Sequence, residues 1–115
     1  MTNVDDALQA ALAPLGLPVY PTVYVGTDLE YLVTTHTALP AVFAERAPQA
    51  ARHLVTVRYF LPFGKNPNHM LQLIARALWE EGFTWPSMTD AADGEGQVWA
   101  LECEYANAGA YYGQT

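Results

Sequence analysis

The clearest structural signals in the chain lie in residues 52–82, which read RHLVTVRYFLPFGKNPNHMLQLIARALWEEG. The stretch 52–61 is rich in β-branched and aromatic residues, a composition that predicts a strand. Alternation places Val55, Val57, Tyr59 and Leu61 on one face of this strand and Leu54, Thr56, Arg58 and Phe60 on the other. Because both faces carry apolar side chains, we expect this strand to lie centrally in a sheet.

A helix is predicted directly after this strand, with a signal at each end. Asn66 is a good N-cap, and Pro67 falls at the first helical position, where its missing N–H is not needed. Gly82 is expected to end the helix, since a left-handed backbone is easily adopted only by glycine. The spacing of three and four residues predicts a buried stripe of Met70, Leu71, Ile74, Ala77 and Leu78.

Toward the N-terminus the pattern predicts another helix, from Asn3 to Pro14, with Thr2 or Asn3 as its N-cap. Its apolar residues recur at helical spacing, which is typical of one buried face. Two segments rich in Val, Tyr and Thr, Val19–Val25 and Tyr31–Ala38, are expected to be strands.

The segment Leu39–Ala51 is ambiguous. It contains Pro40, Pro48 and five alanines, so it fits either a long hairpin loop or a poorly formed strand at Ala41–Ala44.

Toward the C-terminus, Phe83–Met88 and Gln97–Ala106 are expected to form a β-hairpin, with a turn signal at Asp93-Gly94 between them. Together these elements predict an α+β fold, an antiparallel or mixed sheet with two α-helices packed on one face, in the order α-β-β-β-α-β-β. We expect a single domain over residues 1–106 and a flexible tail over 107–115.

The composition limits the possible classes of protein. The chain has 115 residues, 51% of them hydrophobic, with twelve acids, five bases and one cysteine. One cysteine excludes a disulfide framework and a cysteine-rich zinc site. The deficit of bases argues against broad binding to nucleic acid. The N-terminus lacks the basic and apolar regions of a signal peptide, and no apolar run is long enough to span a membrane, so neither is expected.

The negative charge is concentrated in the last third of the chain. Residues 1–76 contain five acids and five bases, whereas residues 77–115 contain seven acids and no base. The seven acids are Glu80, Glu81, Asp90, Asp93, Glu95, Glu102 and Glu104.

Two groups of residues were considered as metal or acid–base sites. Asp90, Asp93 and Glu95 lack the spacing of an EF-hand, so a solvated hairpin loop is the better interpretation. His36 and His53 lie on neighbouring predicted strands and, paired with Glu102 or Glu104, could form a metal or acid–base site. Sheet-surface histidines are the competing interpretation, and no metal or cofactor is expected.

Other reactive residues also favour structural roles. Cys103 lies on the apolar face of an alternating strand and has no neighbouring base, which favours a small buried hydrophobe over a nucleophile. Gly64-Lys65 precedes a helix, as in phosphate sites, but the P-loop pattern is absent, so a strand-to-helix turn is preferred. Nothing in the sequence indicates an enzyme.

The aromatic residues exceed the needs of one small core. The chain has three Trp and seven Tyr, and such residues are enriched at protein interfaces. We expect Trp79, Trp85, Tyr111 and Tyr112 to make inter-subunit contacts, with a tail that folds back on its own domain as the alternative for the two tyrosines.

One long segment carries a resemblance to a known family. Its elements are LPFGKN at 61–66, a helix ending in Glu81-Gly82, FTWPSMTD at 83–90, EGQ at 95–97 and LECE at 101–104. This run resembles small proteins encoded in the tail-morphogenesis region of siphophages and Gram-positive prophages, known as minor tail components, tail completion proteins or tail terminators. The resemblance covers about residues 54–106. The alanine-rich stretch 38–51 departs from the family pattern.

The resemblance implies a structural protein of the virion, located in the tail or neck and assembled in the host cytoplasm. Tail terminators form a homo-oligomeric ring, a hexamer, that stacks on the last ring of the major tail tube protein and stops its polymerisation. The ring then meets a head–tail connector or neck protein, and DNA passes through its lumen without specific binding.

An acidic lumen would repel the phosphates of passing DNA. On this interpretation, the residues expected to face the lumen are Asp90, Asp93, Glu95, Glu102 and Glu104. Three alternatives stay open: a neck or head–tail adaptor ring of the same phage, a small metal-dependent enzyme that uses the histidines and late carboxylates, and a small acidic binding module of the host.

Overall fold

A computed structural model of the chain describes residues 4–24, 26, 28–43, 48–92 and 94–107. Across these residues the chain forms two α-helices, a 3-10 turn and five strands. They are α1 (Val4–Leu12), the 3-10 turn (Ala13–Leu15), β1 (Val19–Pro21), β2 (Tyr31–Phe43), β3 (Pro48–Leu61), α2 (Asn68–Glu80), β4 (Ser87–Asp90) and β5 (Gln97–Asn107). This order confirms the predicted α+β fold, with three strands before the second helix.

The sheet is mixed, and its strand order is β1-β2-β3-β5-β4. Strand β1 runs parallel to β2, whereas every other neighbouring pair is antiparallel. Strand β3 occupies the middle, as predicted, and its Val57 pairs with Thr34 of β2 and Leu101 of β5.

Both helices pack on the same face of the sheet. The predicted division of β3 into two faces is confirmed, and the structure shows which one meets the helices: Val55, Val57, Tyr59 and Leu61 are all buried in one cluster with residues of α1 and α2. The opposite face carries no described helix, and we call it the helix-free face. It is formed by Leu54, Thr56, Arg58 and Phe60 of β3 and by Val98, Ala100, Glu102 and Glu104 of β5.

The ends of α2 are fixed much as predicted. The Oδ1 of Asn66 accepts a hydrogen bond from the N–H of Asn68 at 2.9 Å, so the side chain caps a helix that begins one residue later than expected. At the other end Gly82 has a φ of +101°. The N–H of Gly82 donates to the carbonyl of Trp79, and that of Phe83 donates to the carbonyl of Leu78. This pair of bonds is a Schellman motif, which satisfies the last carbonyls of the helix.

Helix α1 is shorter than predicted. It ends at Leu12 and is followed by the 3-10 turn Ala13–Leu15, which Gly16 closes with a φ of +81°. The predicted N-caps, Thr2 and Asn3, lie outside the described residues.

Two of the predicted strands begin or end elsewhere. Strand β1 stops at Pro21 instead of Val25, because Thr22 adopts a positive φ of 71° that turns the chain away. The strand expected from Phe83 begins only at Ser87, because residues 82 and 83 close α2.

The ambiguous segment 39–51 is mostly strand. Strand β2 continues to Phe43 and β3 begins at Pro48, so the long hairpin loop is wrong. The alternative, a poorly formed strand at Ala41–Ala44, agrees with the described residues 41–43, where the register with β3 is irregular; Ala44 lies outside the described residues. Pro40 is compatible with this extension because β1 pairs only with Leu32–Thr34, and past Thr34 that edge of β2 has no strand partner among the described residues.

The molecule is elongated, with dimensions of 53 × 25 × 25 Å and a radius of gyration of 15.3 Å. A compact chain of this length has a radius of gyration of about 13 Å. Val55 is the residue of the buried core cluster nearest the hairpin end of β3 among residues 53–61, whose burial is described. The ends of β2 and β3 beyond it, residues 39–43 and 48–52, form what we call the hairpin arm.

The predicted boundary at residue 106 falls inside a strand, since β5 includes Asn107, which pairs with Ala51. The rest of the predicted tail, with Tyr111 and Tyr112, lies outside the described residues. No helix within the described part of the chain is long and apolar enough to cross a membrane.

Candidate interaction surfaces

An exposed tryptophan pair lies where α2 connects to β4. Trp79 is 58% exposed and Trp85 is 49% exposed. Their ring centroids are 6.4 Å apart with an interplanar angle of 63°. Between them Phe83 is buried and packs on Tyr105, with centroids 4.7 Å apart. Because Phe83 anchors the connection, both indoles are held at the surface. Their predicted contact with another subunit stays a prediction.

Next to Trp85 a groove of about 400 Å³ runs along the helix-free face. We call it the acidic groove, and its side chains come from Leu54, Thr56, Trp85, Ser87, Glu102 and Glu104. The strand register pairs Leu54 with Glu104 and Thr56 with Glu102. Thr84 fixes one wall, because its N–H donates to the Glu104 carbonyl and its hydroxyl accepts from the Glu104 N–H, each at 2.9 Å.

The acidic residues predicted to face a lumen fall into two places. Glu102 and Glu104 lie on the helix-free face, whereas Asp90 and Glu95 flank the connection between β4 and β5. Asp93 lies outside the described residues. Asp90 has a local role, since its Oδ1 accepts the N–H of Ala92 at 3.0 Å. Within the described part of the chain, no group of three or more potential ligands could hold a metal ion.

The two histidines meet, as their neighbouring strands suggested. The rings of His36 and His53 are 5.7 Å apart between centroids, and the Nε2 of His36 lies 3.1 Å from Oδ1 of Asp5 in α1. The predicted pairing with Glu102 or Glu104 is wrong. The register places His53 opposite Tyr105, on the side of the helices, so both glutamates point to the other face.

His53 is held in its neutral form. Burial lowers the pKa of His53, and the neighbouring His36 lowers it further, which together outweigh the opposing effect of Asp5. Its Nδ1 is buried without a hydrogen-bond partner. Nothing in the spacing of the sequence could have indicated Asp5, because the contact depends on how α1 packs across the sheet.

The turn between β3 and α2 is anchored by side chains that sequence analysis missed. Lys65 donates to Glu30 at 2.8 Å, and the buried Tyr59 hydroxyl donates to the same carboxylate. Gln97 donates to the carbonyls of Pro62 and Lys65 at 3.0 and 2.6 Å. These bonds support the prediction of a strand-to-helix turn. The Lys65 ammonium forms an ion pair with the Glu30 carboxylate.

Cys103 is buried, as predicted for a small hydrophobe. Burial, with a contribution from Glu104, raises the pKa of its thiol to about 12. The thiol is therefore protonated at neutral pH.

The other end of the helix-free face is covered by aromatic rings. Tyr24 stacks on Tyr31 with centroids 3.8 Å apart, and Tyr31 stacks on Phe60 at 4.6 Å. The Tyr20 hydroxyl donates to Asp28 at 2.5 Å, and this bond, with smaller effects of burial and charge, raises the pKa of Tyr20 to about 12. The helix-free face is thus covered beside β1 and open beside β4.

A second exposed apolar surface lies near Leu61, at the end of β3 that is far from Leu54 and the tryptophan pair. Leu29 is 80% exposed and lies just before β2, and Phe63 is 62% exposed and lies just after β3. The ion pair between Glu30 and Lys65 connects these two loops. Leu54 and Leu61 are separated by seven residues of β3, which corresponds to about 23 Å. We call Leu29 and Phe63 the loop surface, and Leu54, Trp79 and Trp85 the tryptophan surface.

Comparison of the chain with protein-family models and with curated proteins finds no match. The family resemblance therefore rests on the chain's own residues.

Proposed function

We propose that the chain is a structural protein of a tailed phage virion, a tail terminator subunit that forms a ring between the tail tube and the head connector. The observation that supports this most is the presence of two separate exposed apolar surfaces, 40–80% exposed at their large side chains. Exposed aromatic side chains that lie together, as Trp79 and Trp85 do, are typical of interaction sites. A subunit of a stacked ring needs contacts with its copies and with a different protein.

The charge around each surface indicates which contact it makes. The loop surface adjoins the Glu30–Lys65 ion pair, with Asp28 and Glu95 also beside Leu29, so the charge of one base offsets part of the acidity there. The tryptophan surface adjoins Glu102 and Glu104, which line the same groove as Leu54 and Trp85. A ring is closed by contacts between two different patches of each subunit. We assign the loop surface to one side of the contact between copies, because the base Lys65 lies beside it. The tryptophan surface is assigned to an unlike neighbour, the tail tube protein or the connector.

The acidity fits a ring that surrounds DNA. A wall of carboxylates repels phosphate, so DNA passes without binding. Glu102 and Glu104, on the open part of the helix-free face, are the best candidates among the described residues for this wall. Asp90 and Glu95 would extend the wall if the β4–β5 connection also turns inward.

The test combines the chain with tail tube protein from its own gene neighbourhood. Wild-type protein should form rings in electron micrographs and shorten the tubes that assemble in its presence. L29A/F63A should lose ring formation by light scattering, whereas W79A should still form rings but no longer limit tube length. A neck adaptor would form rings and leave tube length unchanged, and a monomer that affects neither would overturn the proposal.

A further inference from the structure

Two histidine rings lie together beside the first turn of α1. The ring centroids of His36 and His53 are 5.7 Å apart, and the Nε2 of His36 lies 3.1 Å from Oδ1 of Asp5 in that turn. Within the described residues, the buried Nδ1 of His53 has no hydrogen-bond partner. The contact between α1 and the sheet therefore includes groups that change charge in mildly acidic solution.

The surroundings of His53 oppose a positive charge on its ring. The titratable groups on the elements around it are Asp5 and Asp6 of α1, His36 of β2, Cys103 and Tyr105 of β5, and Glu80 and Glu81 at the end of α2 that lies beside Tyr105. His36 disfavours the charged ring of His53, and Asp5 favours it. Burial and His36 together outweigh Asp5, which His36 already contacts.

A proton on both rings would strain the contact. Two imidazolium ions at this distance repel each other. A charged imidazole also carries an N–H on both nitrogens, so the buried Nδ1 of His53 would become a donor without an acceptor, which costs free energy.

Helix α1 is the element best able to relieve that strain. It has nine residues, fewer than the 12–15 or so that a helix needs to be stable by itself, so it depends on packing. A cleft of about 400 Å³ already separates α1 from β2 beside Asp5 and His36. Movement of the first turn away from the sheet would bring water to His53.

We propose that Asp5, His36 and His53 form an acid-sensitive contact that holds the first turn of α1 on the sheet while His53 is neutral and releases it when His53 gains a proton. The pKa of His53 lies below its ordinary value of 6.5 in the folded chain. As pH falls through 6.5, the released form takes up a proton that the closed form does not, so acid favours release. The contact belongs to the single subunit and acts whether or not a ring forms.

Hydrogen–deuterium exchange at pH 7.5 and 5.5, corrected for the intrinsic rate at each pH, measures the release. One proton bound only by the released form shifts the equilibrium about tenfold at pH 5.5. We expect the protection of residues 4–12 to fall at least fivefold and that of α2 less than twofold. His53→Gln does not titrate, so the fall in residues 4–12 should become less than twofold. His36→Gln keeps an N–H donor for Asp5 but removes the second charge, and it should also reduce the fall.

His69→Gln is the matched control, because His69 is exposed on α2, and it should keep the full wild-type response. An equal fall in α1 and α2, a fall confined to the hairpin arm, no fall at all, or the full fall in both His53→Gln and His36→Gln would overturn the inference. Ring formation is scored separately at pH 7.5, so this inference and the proposed function can fail independently.

Discussion

The hydroxyls of Tyr20 and Tyr59 each donate a hydrogen bond to a carboxylate. Tyr20 donates to Asp28 at the surface, and Tyr59 donates to Glu30 from the core. Burial alone would raise the pKa of Glu30, but the hydrogen bonds from Lys65 and Tyr59 outweigh it and hold the pKa below its ordinary value. Burial and Glu30 raise the pKa of Tyr59, so the phenol stays a donor and the anchor of the β3–α2 turn is maintained at neutral pH.

Tyr59→Phe tests this anchor, because it removes the hydroxyl and leaves the buried ring. A hydrogen bond to a charged partner contributes about 1.5–3 kcal/mol, and we expect a loss of that size in the free energy of unfolding at pH 7. The contribution of a carboxylate with a lowered pKa is present above its unfolded value, and it disappears as pH falls through its folded value. Urea unfolding at pH 7 and pH 3 should therefore show a smaller loss at pH 3.

Tyr24→Phe is the matched control, since the Tyr24 hydroxyl donates only to a backbone carbonyl at the surface, at 3.2 Å. We expect a change below about 0.5 kcal/mol at either pH. An equal loss for Tyr59→Phe at both pH values would show that the Tyr59 hydroxyl contributes independently of the charge on the Glu30 carboxylate.

Among the elements, local patterns predicted faces and ends well. Alternation separated the two faces of β3 correctly but not which of them meets the helices, and the Asn66 and Gly82 signals located α2 within a residue of its observed start. The extension of β2 and β3 could not be read in the same way. Pro40 argues against a strand in general, and it is acceptable here because the neighbouring edge is free. That condition depends on the length of β1, which the chain sets by the turn at Thr22.

Gly82→Ala tests the end of α2. The φ of Gly82 is +101°, and the nearest atom to an added Cβ would be Tyr105 Cε1 at 3.8 Å, an ordinary contact. The cost therefore comes from the backbone, about 1–2 kcal/mol of unfolding free energy. Gly82→Asn should lose less, because asparagine tolerates this conformation better. Thermal and urea unfolding measure both, with the exposed Gln72→Ala as a neutral control. Equal stability of Gly82→Ala and wild type would contradict the assigned backbone.

For the whole molecule, residue counts predicted the charge distribution and the excess of aromatic surface, but not which groups meet. Whether Glu102 lies on the same face of the sheet as His53 or on the other face depends on the strand register. A shift of one residue would move every side chain of β5 to the other face. The acidic groove depends on the same register, since Leu54 reaches Glu104 only through pairing of β3 with β5. The sequence alone could therefore name the tryptophans and glutamates as surface residues but could not assemble them into a groove.

The elongated shape leads to a prediction about the hairpin arm. The described residues 42–43 and 48–50 of the arm pair as two strands, and a two-stranded hairpin is only marginally stable by itself, so we expect the arm to add length without much stability. Replacing residues 41–50 with Asn-Gly, which favours a two-residue hairpin turn, should join Pro40 to Ala51, a pair already in register. We expect the free energy of unfolding to change by less than about 1 kcal/mol. The radius of gyration in X-ray scattering should fall from 15.3 Å toward the value of about 13 Å for a compact chain. Loss of cooperative unfolding would show instead that the arm belongs to the core, and an unchanged radius would show that the arm does not project.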